Sequence, residues 1–240
     1  MKYITPENLF DFAFVNTDCL KTPVRGVCVC FHGFTDDSTF DSSPEIARAL
    51  GEAGIAWVYP YYSVWGWMGK ESMEYCEQVL DAAWKLLGLE ESTPLVASGG
   101  SMGGLTALMY CVKGKRPVIA CAADSPVTDI WKYYDISAYS RRAILSAYIM
   151  EEGDLRALAD GNSPLYNVYR LPDIPYFLLF GELDEHFMKE HMPSMVSAME
   201  ERGLRFTLWV EKGMGHCGTG DFPKAMAAYT EFILNSFPKN

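Results

Sequence analysis

Short apolar runs rich in β-branched residues alternate along the chain with stretches whose apolar residues recur every three or four positions. Uninterrupted apolar runs of this length are typical of strands that are covered on both faces of a sheet. They predict strands at residues 24–31, 55–60, 94–100, 118–123, 175–180 and 206–210. A weaker alternation around residues 9–15 predicts an edge strand or two.

Helical periodicity fills most of the segments between these runs. The clearest helix is predicted at residues 72–89, where one face carries Met73, Cys76, Leu80, Ala83, Trp84 and Leu87. Further helices are predicted between Ser43 and Gly54, from the end of the 94–100 run to Gly114, and at residues 193–202 and 222–237. Strands that alternate with helices require right-handed crossovers, so the pattern predicts a mostly parallel α/β sheet with helices on both faces.

One long connection, from residue 124 to residue 173, breaks this alternation. It contains three short helix-like segments, at residues 130–139, 141–150 and 154–158, and is much longer than an ordinary strand-to-helix link. We interpret residues 125–173 as a helical cap inserted over a site. A chain of 240 residues that is 49% hydrophobic can form one sizeable core, so we expect a single domain over residues 1–240.

Charge and cysteine content limit the classes of partner. The net charge of -11 and the isoelectric point near 4.8 argue against nucleic acid or an anionic membrane surface, because both require a basic face. The N-terminus has no basic region followed by an apolar stretch, and no run is long enough to span a membrane. Seven scattered cysteines, several within apolar runs, are typical of a reducing compartment. We therefore expect a cytoplasmic protein.

The turn after the 94–100 strand carries the strongest chemical signal. Residues 99–103, Gly-Gly-Ser-Met-Gly, match the G-x-S-x-G pattern that places a nucleophilic serine at a strained strand-to-helix turn. Gly99 and Gly103 have no Cβ, so the strand and the helix can approach closely while Ser101 takes an unfavourable backbone conformation. The alternative, a phosphate-binding turn, lacks the lysine of a P-loop and comes too late for a first-strand dinucleotide motif.

A serine hydroxyl needs an imidazole to take its proton and a carboxylate to orient that imidazole. His216 lies in a glycine-containing loop after the last predicted strand, and Asp184 follows the 175–180 strand. Together with Ser101 they give the order Ser, Asp, His that is known for α/β-hydrolases. Asp124, also at a strand end, and Asp129 are the rival acids, and the alternative role for any of these carboxylates is a helix cap or turn.

Backbone amides must hold the negatively charged oxygen of the reaction intermediate. The amide of Met102 at the helix N-terminus is one candidate, and the amide of Phe34, in the turn after the 24–31 strand, is the other. His32 in that turn is expected to be structural, hydrogen-bonded beneath the turn. His186 and His191 stand among charged residues, so we expect both to be solvated surface side chains.

These motifs, in this order, resemble the α/β-hydrolase superfamily over nearly the whole chain. They are residues 32–34, 99–103, 181–184 and His216. The elbow with its following Gly104, and the segment 162–167, are similar to the catalytic domains of the prolyl oligopeptidase family, whereas the turn at residues 32–35 is similar to small acyl and cinnamoyl esterases. The first predicted core strand begins near residue 24, without a preceding propeller, so the resemblance favours a compact esterase over a peptidase.

Aromatic residues crowd the loop after the 55–60 strand and the cap. They favour an apolar or aromatic substrate group, although they could equally pack the cap onto the domain. The candidate substrate-binding residues are Tyr61, Trp65, Trp67 and Trp131. We expect a serine hydrolase that cleaves small carboxylic esters through an acyl intermediate on Ser101, with no cofactor and no metal. The alternatives are a prolyl oligopeptidase-like peptidase or amidase, and a catalytically silent binding protein.

Overall fold

The computed structural model describes residues 3–238, and its centre is a seven-stranded sheet. The strands are β1 (Ala13–Val15), β2 (Gly26–Phe31), β3 (Ile55–Pro60), β4 (Leu95–Gly100), β5 (Val118–Asp124), β6 (Tyr176–Gly181) and β7 (Phe206–Glu211). Their order is β1-β3-β2-β4-β5-β6-β7, with β1 antiparallel to β3 and every other neighbouring pair parallel. The predicted mostly parallel sheet is confirmed, and β1 is its antiparallel edge.

Helices cover both faces of this sheet. They are α1 (Glu45–Glu52), α2 (Lys70–Leu86), α3 (Met102–Lys113), α4 (Ile130–Tyr134), α5 (Ala138–Tyr148), α6 (Leu155–Asn162), α7 (Met192–Glu201) and α8 (Pro223–Ser236). On β2, Val29 belongs to the buried cluster of α2 and α3, whereas its neighbour Cys28 belongs to the cluster of α1 and α8. Successive strand residues point to opposite faces, so β2 is buried on both sides. Between residues 3 and 238, no helix combines the length and the apolar character needed to cross a membrane.

Helix α2 ends three residues before the predicted boundary at residue 89. Gly88 has a φ of +63°, in the left-handed region that glycine enters without steric cost. The amide of Leu89 then donates to the carbonyl of Trp84 at 2.9 Å, and the amide of Gly88 donates to that of Lys85 at 3.3 Å. This pair of hydrogen bonds is a Schellman motif, which ends the helix. The sequence predicts a longer helix because Leu87 and Leu89 continue the apolar pattern.

The segment between β5 and β6 contains α4, α5, α6 and a 3₁₀ stretch at Pro164–Arg170. Each α-helix begins at a side-chain cap: Asp129 accepts from the amide of Trp131 at 2.9 Å, and Ser137 and Asp154 cap α5 and α6 in the same way. The segment packs against the turns that follow β2 and β3. For example, the hydroxyl of Tyr148 donates to the carbonyl of Trp67 at 2.6 Å.

Candidate active site

Ser101 occupies the turn between β4 and α3 with a φ of +55° and a ψ of -120°. The two glycines around it leave no room for a side chain. A Cβ on Gly99 would lie 2.6 Å from the carbonyl carbon of Gly103, and a Cβ on Gly103 would lie 1.9 Å from the carbonyl oxygen of Phe31. Strand β2, strand β4 and helix α3 therefore meet at this point only because both positions are glycine.

Backbone hydrogen bonds hold the strained serine from the neighbouring strand. The amide of Ser101 donates to the carbonyl of Asp124, the last residue of β5, at 2.8 Å. The carbonyl of Ser101 accepts from the amides of Leu105, at 3.0 Å, and Val127, at 3.2 Å. Strained backbone persists where surrounding structure fixes it, and here the end of β5 and the first residues after it supply that support.

The side chains of Ser101, His216 and Asp184 form a continuous hydrogen-bonded row. The Nε2 atom of His216 lies 2.9 Å from Ser101 Oγ, and its Nδ1 atom lies 2.5 Å from Asp184 Oδ2. Asp184 is buried at the end of β6, whereas the imidazole is partly open to solvent. This geometry allows the imidazole to take the serine proton while the carboxylate stabilises the resulting positive charge.

Neither rival acid is hydrogen-bonded to His216. The two carboxylate oxygens of Asp124 accept from the hydroxyls of Ser125, at 3.1 Å, and Thr219. Burial raises the pKa of Asp124, and these two hydroxyls oppose the effect. Asp129 caps α4 and also accepts from the hydroxyl of Tyr166 at 2.9 Å, which is the helix-cap role considered for it.

The amides of Phe34 and Met102 are the two candidates for holding a negatively charged oxygen. Within residues 3–238, no acceptor takes a hydrogen bond from the amide of Phe34 or that of Met102. His32, beneath the same turn, is buried, and its two ring nitrogens lie 2.9 Å from the carbonyl oxygens of Gly33 and Tyr62. Its ring is also stacked on that of Tyr62 at a centroid distance of 3.9 Å. These contacts fit the structural role expected for His32.

Comparison with known families assigns the chain. Residues 47–239 match the sequence profile of the prolyl oligopeptidase family. The chain belongs to this family. It is a serine hydrolase with the α/β-hydrolase fold, as the resemblance implied. Among curated protein sequences, none matches the chain significantly.

Solved structures similar to this family member include both esterases and peptidases. Esterase B from Lactobacillus rhamnosis is 12% identical, with a TM-score of 0.68 over 90% of this chain and 76% of that one. For S-formylglutathione hydrolase from Agrobacterium tumefaciens the identity is 16% and the TM-score 0.69, over 94% and 95%. For acylaminoacyl peptidase from Pyrococcus horikoshii they are 14% and 0.71, over 92% of this chain but 38% of the peptidase. This chain therefore spans less than half the length of that peptidase.

The expectation that His186 and His191 are solvated surface residues is wrong for His191, which is fully buried, and His186 is half-buried. His186 precedes a π-helical turn, Phe187–His191, that leads into α7, and His191 is the last residue of that turn. The amide of Thr128 donates to Nδ1 of His191 at 3.3 Å, and burial lowers the pKa of His191 to about 3. The sequence did not indicate this burial, because the neighbours of His191 along the chain are charged and its hydrogen-bond partner, Thr128, is 63 residues away.

Phe187 is a site residue that the sequence interpretation missed. Its ring lies 4.3 Å from the imidazole of His216, measured between centroids, and 6.3 Å from the ring of Tyr133 in the cap. Tyr133 in turn makes an edge contact with Phe34 at 5.9 Å. The local sequence gives one signal for Phe187: it is an aromatic residue within a polar stretch, three positions after Asp184.

The four candidate substrate-binding aromatics have different surroundings. Trp67 is fully buried and packs against Phe34 at 5.2 Å, so the prediction that it binds substrate is wrong, and it supports the turn instead. Trp131 is stacked on another ring of the cap, that of Tyr134, at 4.6 Å.

Trp65 and Tyr61 are half-buried. The indole of Trp65 donates to the hydroxyl of Tyr139 at 3.2 Å. Tyr61 lines a cavity of about 310 Å³ beside the turn that carries His32. Contact of Trp65, Tyr61 and Trp131 with substrate stays a prediction.

No metal-binding arrangement occurs in the part of the chain that the structure describes, where no group of three or more His, Cys, Asp or Glu side chains could hold an ion. The cysteines at positions 19, 28, 30, 76, 111, 121 and 217 are all free. Cys217 is the one beside the row, with its Sγ atom 3.8 Å from Nε2 of His216. Burial raises the pKa of the Cys217 thiol well above its ordinary value, which disfavours the thiolate.

Proposed function

We propose that the protein hydrolyses small carboxylic esters through an acyl intermediate on Ser101. The observation that carries this proposal is the row in which His216 lies 2.9 Å from Ser101 Oγ and 2.5 Å from Asp184 Oδ2. An imidazole with these two partners can activate a hydroxyl that is otherwise a weak nucleophile.

In the proposed reaction, His216 Nε2 takes the proton of Ser101 as the serine oxygen attacks the ester carbonyl carbon. Asp184 stabilises the imidazolium, and the amides of Phe34 and Met102 donate to the oxyanion of the tetrahedral intermediate. His216 then gives the proton to the alcohol oxygen as the bond to the carbonyl carbon breaks. A water molecule repeats the sequence on the acyl-serine and releases the acid.

Uncharged side chains near the row support an ester substrate. Phe34, Tyr133 and Phe187 form a connected set of rings with centroid distances of 5.9 and 6.3 Å, and Phe187 contacts His216. Such a surface suits the apolar acyl and alcohol groups of an ester, whereas a charged peptide terminus requires a countercharge. Two of the similar structures are named as an esterase, esterase B, and as a hydrolase of a small substrate, S-formylglutathione hydrolase.

Peptide or amide hydrolysis is the second candidate, and membership of the prolyl oligopeptidase family favours it. The acylaminoacyl peptidase from Pyrococcus horikoshii has the same fold around a shared sheet. The same row can cleave an amide, provided that His216 protonates the poorer amine leaving group.

A matched pair of substrates tests the proposal: 4-nitrophenyl butyrate and butyryl-4-nitroanilide share an acyl group and differ in the scissile bond. We expect the ester to be turned over and Ser101→Ala to lower kcat by about 10⁵-fold or more. Ser197→Ala, on the exposed face of α7, is the control and should keep full activity. A fluorophosphonate probe should label the wild type but not Ser101→Ala.

Three outcomes would contradict the ester proposal. Undiminished turnover by Ser101→Ala would remove Ser101 as the nucleophile. Faster cleavage of the anilide than of the ester would favour the peptidase. Absence of both turnover and labelling in the wild type would favour a catalytically silent binding protein.

A further inference from the structure

A hydrogen-bonded chain of two imidazoles fixes where one proton lies beside the row. The amide of Thr128 can only donate, so Nδ1 of His191, 3.3 Å away, must carry a lone pair. The proton of neutral His191 is therefore on Nε2, which lies 3.3 Å from Nε2 of His186 and donates to it. Neutral His186 then has its own proton on Nδ1. Burial lowers the pKa of both imidazoles, which favours these neutral forms.

This Nδ1–H group of His186 has no acceptor among residues 3–238, although the side chain is half-buried. The ring of Tyr133 lies next to it, at a centroid distance of 6.5 Å with the planes at 71°. The hydroxyl of Tyr133 also has no hydrogen-bond partner in the described part of the chain, whereas that of Tyr139 accepts from Trp65. Burial, together with the nearby Cys217 and Asp184, raises the pKa of Tyr133, so its hydroxyl remains a donor.

The contacts of His216 indicate which part of a substrate these two donors face. The ring of Phe187 lies 4.3 Å from the imidazole of His216, and the rings of His186 and Tyr133 lie 5.6 and 6.3 Å from that of Phe187. Both donors therefore border the side of the site on which His216 stands. The alcohol oxygen must face His216 to receive its proton. Tyr133 and His186 therefore lie on the side of the leaving alcohol.

We infer that the hydroxyl of Tyr133 and the Nδ1–H group of His186 form a subsite for an oxygen atom in the leaving alcohol of the substrate. The substrate class is an ester whose alcohol portion carries an ether, hydroxyl or carbonyl oxygen a few bonds from the scissile oxygen. The ring of Phe34 packs against that of Tyr133, and the ring of Phe187 against that of His186. This inference rests on the proposed function.

Two esters of one acid provide the test: 2-methoxyethyl butyrate and n-butyl butyrate. They have the same chain length and differ only in an ether oxygen that replaces a methylene. A single neutral hydrogen bond changes an equilibrium by severalfold. For the wild type we expect kcat/KM, measured by acid release, to be about three- to tenfold higher for the methoxyethyl ester.

Variants assign the preference to the two donors. Tyr133→Phe should reduce the preference to less than about twofold, since the hydroxyl that donates to the ether oxygen is removed. Tyr134→Phe, the adjacent tyrosine stacked on Trp131, is the matched control and should keep the preference. His186→Ala should also lose it, and because this change unpairs His191, its folding is checked by thermal unfolding.

Each remaining outcome counts against the inference. Equal kcat/KM for the two esters in the wild type would overturn it and leave the proposed function intact. An equal loss on both esters in Tyr133→Phe would also overturn it, because the hydroxyl would then act on the shared carbonyl. If the wild type cleaved neither ester and Ser101 took no fluorophosphonate label, the proposed function would fail and the subsite with it.

Discussion

Asp184 and Asp124 are two carboxylates in nearly the same structural position, and the structure gives them different partners. Each stands at the carboxyl end of a parallel strand or just beyond it, β6 for Asp184 and β5 for Asp124, and their exposed fractions are 8% and 7%. Asp184 accepts from the imidazole of His216. Asp124 accepts from the hydroxyls of Ser125 and Thr219.

Burial and strand position therefore do not distinguish these two carboxylates. The distinction lies in what their oxygen atoms bind: the hydroxyls of Ser125 and Thr219 donate to Asp124, whereas the imidazole of His216 lies on Asp184. Asp124 instead joins the end of β5 to the loop that carries Thr219 and His216. We interpret Asp184 as the carboxylate that orients the base and Asp124 as a support for the loop on which the base stands.

The largest expected effect that tests this comparison comes from Asp184→Asn. An amide in place of the carboxylate cannot stabilise an imidazolium and permits the wrong tautomer of His216, so kcat for 4-nitrophenyl butyrate should fall by about 10³- to 10⁴-fold. Steady-state kinetics measure the loss, and thermal unfolding confirms that the variant is folded. A loss of less than about tenfold would show that Asp184 does not support the base.

Asp124→Asn should have a much smaller effect on turnover, less than about tenfold in kcat, because the hydrogen bond between His216 and Asp184 is kept. The amide oxygen of the variant can still accept from one of the two hydroxyls. The same ester assay, run beside Asp184→Asn, measures the difference. If Asp124→Asn were the more damaging change, the roles of the two carboxylates would have to be exchanged.

The same variant should change how stability depends on pH. The pKa of Asp124 is higher in the folded chain than in the unfolded one, because burial disfavours the charge. The folded state then holds this proton more tightly, so the free energy of unfolding falls as pH rises from the ordinary aspartate pKa to the raised value. Urea unfolding across that interval should show a shallower decline in Asp124→Asn than in the wild type.

Thr219→Val should lower stability with almost no effect on catalysis. The valine keeps the shape but removes the hydroxyl that donates to Asp124, which leaves a buried carboxylate oxygen without that partner. We expect the free energy of unfolding to fall by about 1–3 kcal/mol, and kcat to stay within about threefold of wild type. Urea unfolding and the ester assay measure the two effects. Unchanged stability would contradict the supporting role of this contact.

Local sequence patterns predicted the elements on which the site is built. The glycines at 99 and 103 indicated a close approach, and the structure shows that a Cβ at either position would meet backbone atoms. Some strand ends were predictable because the apolar run stops at a polar residue, such as Asp124 after the 118–123 run. The order Ser, Asp, His along the chain fits both Asp124 and Asp184, because both lie between Ser101 and His216, so the hydrogen bond to His216 in the structure is what separates them.

Features that depend on long-range packing were not predictable in this way. His191 lies among charged residues, yet it is the last residue of a π-helical turn and is hydrogen-bonded to Thr128, which follows β5 and lies 63 residues earlier in the sequence. Trp67 stands in a run of aromatic residues that suggested a binding surface, but it is buried beneath Phe34. In both cases the deciding partner lies more than thirty residues away, so no window of local periodicity contains it.

The backbone hydrogen bonds that hold Ser101 are made with Leu105 of α3, Asp124 of β5 and Val127, all of which lie outside the segment from α4 to α6. Everything from Ile130 to the end of α6 can consequently be exchanged for a different sequence without removing a single backbone support of the serine. If this segment covers the site, as we propose, a foreign segment grafted at this boundary should change substrate preference while the backbone hydrogen bonds of Ser101 are kept. The backbone that holds the serine and the helical segment from α4 to α6 are thus separate parts of the chain.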